Sequence, residues 1–259
     1  MRQARQRERS DGRTMYAKIV DEVIRASDII LEVLDARLVQ ATRNRILEER
    51  IRRLNKPLLF VLNKCDLVDK RYMEKVKRIL RPSVFVSAKD RLGTTMLRNK
   101  MLEIAGKEKL VAGIIGYPNT GKSSVINALA GRRKAGTSAQ SGFTRGLQKV
   151  KVDNRIWVLD TPGVIPYDDK VTAALTGAKD HSKIEDPEGA AFTLIEHMLP
   201  SVKSYYSLES VSPEEIIEEV ALKKNKLIKG GLPDTQAASR LIIMDWQRGK
   251  IRPVAPSAL

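Results

Sequence analysis

Gly116-Tyr117-Pro118-Asn119-Thr120-Gly121-Lys122-Ser123 is the stretch that decides the fold of this chain. It has the form G-x-x-x-x-G-K-S. The apolar run Leu110 to Ile115 (Leu-Val-Ala-Gly-Ile-Ile) reads as a buried strand leading in, and Ser124 to Ala130 as a helix leading out. Strand, loop and helix in that order make a phosphate cradle. Glycines let the backbone aim its N–H groups inward, the helix N-terminus adds partial positive charge, Lys122 reaches the outer phosphates, and Ser123 offers a hydroxyl to Mg²⁺. The alternative is a Gly-rich turn between two core elements, and the flanking pattern favours the cradle. The stretch implies a nucleoside triphosphate site.

Downstream, Gly131 to Gly146 is rich in Gly, Ser, Thr and basic residues, lacks periodicity and contains Thr144. Leu147 to Val152 and Arg155 to Leu159 read as a hairpin turned at Asp153-Asn154, whose second strand ends at Asp160-Thr161-Pro162-Gly163. From Val171 onward the pattern is helical. Pro187 to Leu199 reads as one helix. Ser212-Pro213-Glu214-Glu215 has the form of a capping box opening a second, and Asp234, after the break at Gly230-Gly231, caps a third through Trp246.

Upstream, Gly93 to Ile104 reads as a helix with Leu92, Met96, Leu97, Met101 and Ile104 on its core face. Before it, the short strand Ser83 to Val86 delivers Ser87-Ala88-Lys89, and Lys70 to Leu80 is a strongly basic helix. Pro57 to Leu62 is a buried strand that ends in Asn63-Lys64-Cys65-Asp66, polar side chains at the edge where open α/β sheets hold their ligands. An aspartate there accepts hydrogen bonds from both N1–H and the exocyclic amine of guanine, a donor pair that adenine lacks. Thr42 to Leu54 reads as a helix and Asp28 to Leu34 as a branched strand ending at Asp35-Ala36-Arg37. Helical spacing recurs from Met15 to Ala26. Residues 1–13 carry five arginines and almost nothing apolar, which marks an arm.

Charge narrows the partners. Lys and Arg number 47 against 31 acids, a net +16, and residues 1–167 hold 35 of the bases and 17 of the acids. Such an excess suggests a polyanionic partner, nucleic acid first, with a solvated basic surface as the plainer alternative. The single cysteine, Cys65, forms no internal disulfide and suits a reducing cytosol. No apolar run approaches the length of a membrane span and no signal peptide opens the chain, so the expectation is a cytoplasmic protein without a membrane partner.

Phosphate loop, threonine-bearing loop, Asp-x-x-Gly, Asn-Lys-x-Asp and Ser-Ala-Lys are the five parts of a guanine-nucleotide G domain. Here the base-reading pair, at Asn63 and Ser87, precedes the phosphate-reading set at Gly116, Thr144 and Asp160. The chain therefore resembles the circularly permuted GTPases, most closely the YlqF/YawG family of ribosome-assembly GTPases. Asp35-Ala36-Arg37 and the Gly230-Gly231-Leu232-Pro233-Asp234 turn extend the likeness over about residues 14–259. It implies a permuted P-loop G domain over 14–167, with a mostly parallel sheet and helices on both faces, and a small all-α domain over 168–259.

The resemblance also implies roles. Asn63, Lys64, Cys65 and Asp66 hold guanine, and the Ser87-Ala88 backbone completes that pocket. Gly116, Asn119, Thr120, Gly121, Lys122, Ser123 and Ser124 hold the phosphates of GTP or GDP. Ser123, Thr144 and Asp160 surround Mg²⁺, and Gly163 meets the γ-phosphate. Lys122, Thr144 and Gly163 carry the chemistry. Asn119 is either a potassium ligand or a loop-closing residue. Val164 stands where a G domain usually has its water-orienting glutamine, and Arg13-Thr14-Met15 lacks the histidine that some relatives carry, so intrinsic hydrolysis is expected to be slow. The expected partners are ribosomal RNA and the large ribosomal subunit, engaged by a monomer. A nucleotide-gated binder of tRNA or another RNA is the second reading. A P-loop ATPase or kinase is the third, and Asn63 to Asp66 argue against it.

Overall fold

The computed structural model describes residues 18–131, 148–160 and 184–253. These fall into two compact units. The first runs up to Asp66 and from Met73 to 160, and the second holds Leu67–Tyr72 and everything from 184 onward.

Runs of branched apolar residues become the sheet of the first unit. β1 (Ile29–Asp35), β2 (Leu58–Asn63), β3 (Ser83–Val86), β4 (Leu110–Ile115), β5 (Gln148–Lys151) and β6 (Ile156–Asp160) pair in the order β3-β2-β1-β4-β6-β5. All neighbours are parallel except β5 with β6. Parallel strands are covered on both faces, so β1 is buried at every position. Helix α1 (residues 18–26) and α3 (Arg45–Arg53) pack Val20, Ile24 and Ile51 against Ile30 and Ile115 on one face. On the other, α5 (Thr94–Ala105) and α6 (Lys122–Ala130) lay Leu97, Met101, Val125, Ile126 and Leu129 over Leu31, Val33, Val61 and Ile114. α4 (Lys70–Ile79) connects β2 to β3. The P-loop strand β4 is fourth in sequence and central in space, between β1 and β6.

Two local expectations need correction in this unit. The helix expected over Thr42 to Leu54 is two: α2 (Val39–Thr42), then a break, then α3 starting at Arg45, because Asn44 caps α3 by accepting from Leu47 N–H while its own N–H donates to the buried Glu32 carboxyl at 2.8 Å. On α5, Leu97 and Met101 are fully buried, whereas Leu92 and Met96 are each 58% exposed. Leu92 is held instead in a backbone bridge with Ser87, before the helix begins.

In the second unit α7 (Pro187–Tyr206) packs against α8 (Pro213–Lys223) and α9 (Thr235–Gln247), around the fully buried Trp246. α7 does not stop at Leu199. Pro200 removes an N–H and crowds the preceding turn, and the helix bends at Met198 (φ −129°) but continues, since Val202 and Tyr206 beyond the bend are buried. The Tyr206 hydroxyl donates to Asp245 at 2.8 Å. Ser212 and Asp234 cap α8 and α9 as their sequence indicates, accepting from Glu215 and Ala237 N–H.

Candidate functional site

The strand β4 ends at Ile115 and the chain turns sharply into α6. Gly116 has φ +144°, and a Cβ there would lie 2.5 Å from Val33 O. Gly121 has φ +96°, and a Cβ at this position would meet Asn63 Nδ2 at 2.1 Å, so no larger residue fits. Inside the turn the buried Thr120 donates its hydroxyl to Tyr117 O at 2.9 Å. The Lys122 ammonium donates to Gly116 O at 2.9 Å and Tyr117 O at 3.0 Å. Burial pushes its pKa down to about 8, opposed by the nearby negative charge of Asp160 at the end of β6. Ser123, Ser124 and Asn119 are exposed at the loop, and Asn119 has φ +60°.

Asn63 ties three loops together. Its Nδ2 donates to Thr120 O of the phosphate loop at 2.8 Å, and its Oδ1 accepts from Ala88 N–H at 3.1 Å. Ser87 is buried, bonded through its hydroxyl to Asp90 at 2.9 Å, so the Ser-Ala-Lys turn is fixed at the same sheet edge. Cys65 and Asp66 lie in a short 3-10 turn after β2, and both are partly buried. Burial, reinforced by the Asp66 charge, pushes the Cys65 thiol up.

Lys64, with φ +63°, turns back toward β1. Its ammonium pairs with Asp35 Oδ2 at 2.7 Å. Asp35 is buried and accepts from the Arg37 guanidinium at 3.0 and 2.7 Å and from the Arg37 N–H at 3.0 Å. Burial alone would raise its pKa. The charges of Arg37 and Lys64, with their hydrogen bonds, hold it well below the usual carboxylate range.

Comparison with known proteins bears on the family and the fold. Residues 111–228 match the family described as 50S ribosome-binding GTPase. The chain is 41% identical over 243 residues to an uncharacterized GTP-binding protein of Methanocaldococcus jannaschii, covering 90% of this chain and 65% of that one. It is 32% identical to the nuclear GTP-binding protein NUG1 of Saccharomyces cerevisiae, covering 93% of this chain and 56% of that one. Among solved structures, GDP-bound YlqF of T. maritima superposes with a TM-score of 0.65 at 26% identity, covering 92% of this chain and 97% of that one. The chain resembles the circularly permuted GTPases in sequence and in fold. It spans about two thirds or less of the length of these curated relatives.

In this permuted GTPase fold the strands that deliver Asn63 and Ser87 precede the P-loop strand in sequence and sit on one side of it in the sheet. The Asp35 link is not legible as a role from sequence. Asp35 pairs with Asn63 in the β1–β2 register, so an acid ending one parallel strand beside an Asn-Lys ending the next is the available signal. Glu32 gives no signal beyond being an acid inside an apolar strand. It is fully buried, its Oε2 has no hydrogen-bond partner among the described residues, and burial raises its pKa to about 8, with the Asn44 N–H opposing, Glu48 adding and Arg43 opposing. Thr144 and Gly163, and with them Thr161, Pro162 and Val164, lie outside the described residues. The oxygens that are placed, the Ser123 hydroxyl and the Asp160 carboxylate, are the hard donors magnesium takes when substrate phosphates supply the remaining ligands. No cluster of three or more His, Cys, Asp or Glu suited to a metal occurs among the described residues.

Proposed function

We propose that this chain binds GTP and GDP at the edge joined by Asn63, hydrolyses GTP slowly on its own, and uses the cycle to attach to and leave ribosomal RNA in a large-subunit precursor. The observation that supports the reading is the pair of Asn63 bonds, to Thr120 O and from Ala88 N–H, which ties the loops after β2, β3 and β4 together at one sheet edge. Asp66 reads guanine, with Lys64, Cys65, Ser87 and Ala88 around the base. Lys122 exchanges two loop carbonyls for phosphate oxygens, and Gly116, Asn119, Thr120, Gly121, Ser123 and Ser124 complete the cradle. Ser123 and Asp160, with Thr144, would hold magnesium, which would supply neutralisation of the phosphate charge. Asn119 offers an oxygen to a potassium ion beside them. Gly163 reports the γ-phosphate through its N–H. The protein works in the cytoplasm as a monomer. Among its described residues no helix is long and apolar enough to cross a membrane.

Hydrolysis measured with and without purified large subunits tests the reading, alongside Asp66→Asn. The substitution should weaken GTP and favour xanthosine triphosphate, whose extra carbonyl suits an amide donor. GTP affinity unchanged in that variant removes Asp66 from the pocket. Large subunits that leave the rate unaltered remove the ribosomal role.

A further inference from the structure

At the amino ends of the strands, opposite the phosphate loop, the first unit has a second concentration of charge. Glu74, Lys77 and Arg78 from α4, Arg81, Pro82 and Ser83 from the turn into β3, and Lys100 from α5 line a cleft of about 610 Å³ beside the edge strand. Four of these residues are cations and one is an acid. Lys100 is engaged by Glu103 at 2.6 Å, and Arg81 spends its Nε–H on Lys77 O at 3.2 Å. Lys77 and Arg78 are exposed and have no carboxylate partner among the described residues. Ser83 is nine-tenths buried in the cleft wall, and its hydroxyl has no hydrogen-bond partner among the described residues.

We propose that this cleft seats consecutive phosphates of an RNA strand, a contact surface separate from the nucleotide pocket. The inference rests on the RNA-binding part of the function proposed above and adds the place. A solvated helix face carries both signs interspersed, in pairs that cancel. α4 instead sets five bases against one acid in ten residues. The cleft is open, and the aliphatic stems of its long side chains form much of its wall while the cationic heads stand along its edge. That arrangement follows a repeating line of negative charge. RNA helices expose phosphates and 2′-hydroxyls while hiding their base edges in a deep groove, so cations without carboxylate partners suit that backbone. Cations also protect an edge strand such as β3 from pairing with another chain, and the test separates that role from RNA contact.

The experiment uses the full chain, large-subunit ribosomal RNA as probe, and the variant Lys77→Glu/Arg78→Glu/Arg81→Glu. Loss of three phosphate contacts should weaken RNA binding at least about tenfold near physiological salt and flatten the slope of log affinity against log salt by about 2 to 3. GTP affinity should not change, which also reports that the variant is folded. A wild-type chain that binds RNA while the triple variant keeps its affinity and slope overturns the cleft alone. A wild-type chain that binds no RNA overturns the underlying reading as well. Intact RNA binding with lost attachment to ribosomal particles gives the cleft to an acidic protein. Intact RNA binding with new self-association gives it to edge protection, and either result overturns the proposal.

Discussion

Lys122 is the residue whose ionisation and function are most tightly bound together. Burial pushes its pKa down to about 8, and in the proposed phosphate cradle the phosphate charges would raise it again, so that nucleotide association would take up a proton above that pH. The sign is fixed: affinity for GDP should be flat below about pH 8 and fall by up to tenfold per unit above it. Calorimetry at pH 8.5 in buffers of different ionisation enthalpy should register the uptake, and Lys122→Arg, whose guanidinium stays charged, should not show it. A flat affinity from pH 7 to 9 would sink the argument. A second prediction concerns Asp35, the counter-ion that fixes Lys64 beside the base-reading turn. Asp35→Asn and Lys64→Ala should each weaken GDP binding, and the double variant should be scarcely worse than the poorer single one, a coupling of about 1 kcal/mol or more. Additive losses would mean that Asp35 supports the fold through Arg37 and leaves Lys64 alone.

Among the elements, β1 holds the clearest conflict between pattern and content. Its run Ile-Ile-Leu-Glu-Val-Leu-Asp is legible as a central strand, yet Glu32 in the middle is fully buried. With a pKa near 8 when folded and an ordinary value of 4.5, the carboxyl stays protonated in the native chain over a range where the unfolded chain has lost its proton. Stability should therefore fall as pH rises from about 4.5 to 8, by up to about 1.4 kcal/mol per unit from this group. Glu32→Gln keeps the acceptor for Asn44 N–H and removes the titration. Its melting temperature should lose much of the wild-type decline across pH 5 to 8, and a variant with the same decline would clear Glu32 of the effect. The same residue explains a misread boundary. The break between α2 and α3 depends on a carboxyl twelve positions away, which local periodicity does not contain. Buried parallel strands are legible because both faces are covered and the whole run is apolar. The width of the buried stripe on α5 and the persistence of α7 past Pro200 depend on what neighbouring elements cover, as the exposed Met96 and the buried Val202 show.

For the whole molecule, the order of the pieces is what matters. The five G-domain motifs are legible with their order, while the pairing of Asp35 with Lys64 needs the β1–β2 register before it has meaning. Permutation also sets where the nucleotide signal goes. β6 ends at Asp160, and the chain beyond it proceeds to the helical unit without contributing a further described strand to the sheet. The proposed switch predicts that a change at Asp160 to Gly163 between GTP and GDP reaches α7, α8 and α9, so that GTP should tighten attachment to large-subunit particles relative to GDP. With Val164 in place of a water-orienting glutamine, the free chain should turn over slowly and the particle should accelerate it by ordering groups around the γ-phosphate. Thr144→Ala should lose the stimulation while keeping much of its nucleotide affinity, and Lys122→Ala should lose both. Co-sedimentation with large subunits in GDP and in a non-hydrolysable GTP analogue, paired with turnover measurements, reads the two effects separately. Equal attachment in the two nucleotides would disconnect the helical unit from the γ-phosphate, and stimulation surviving in Thr144→Ala would place the ordering of the site elsewhere.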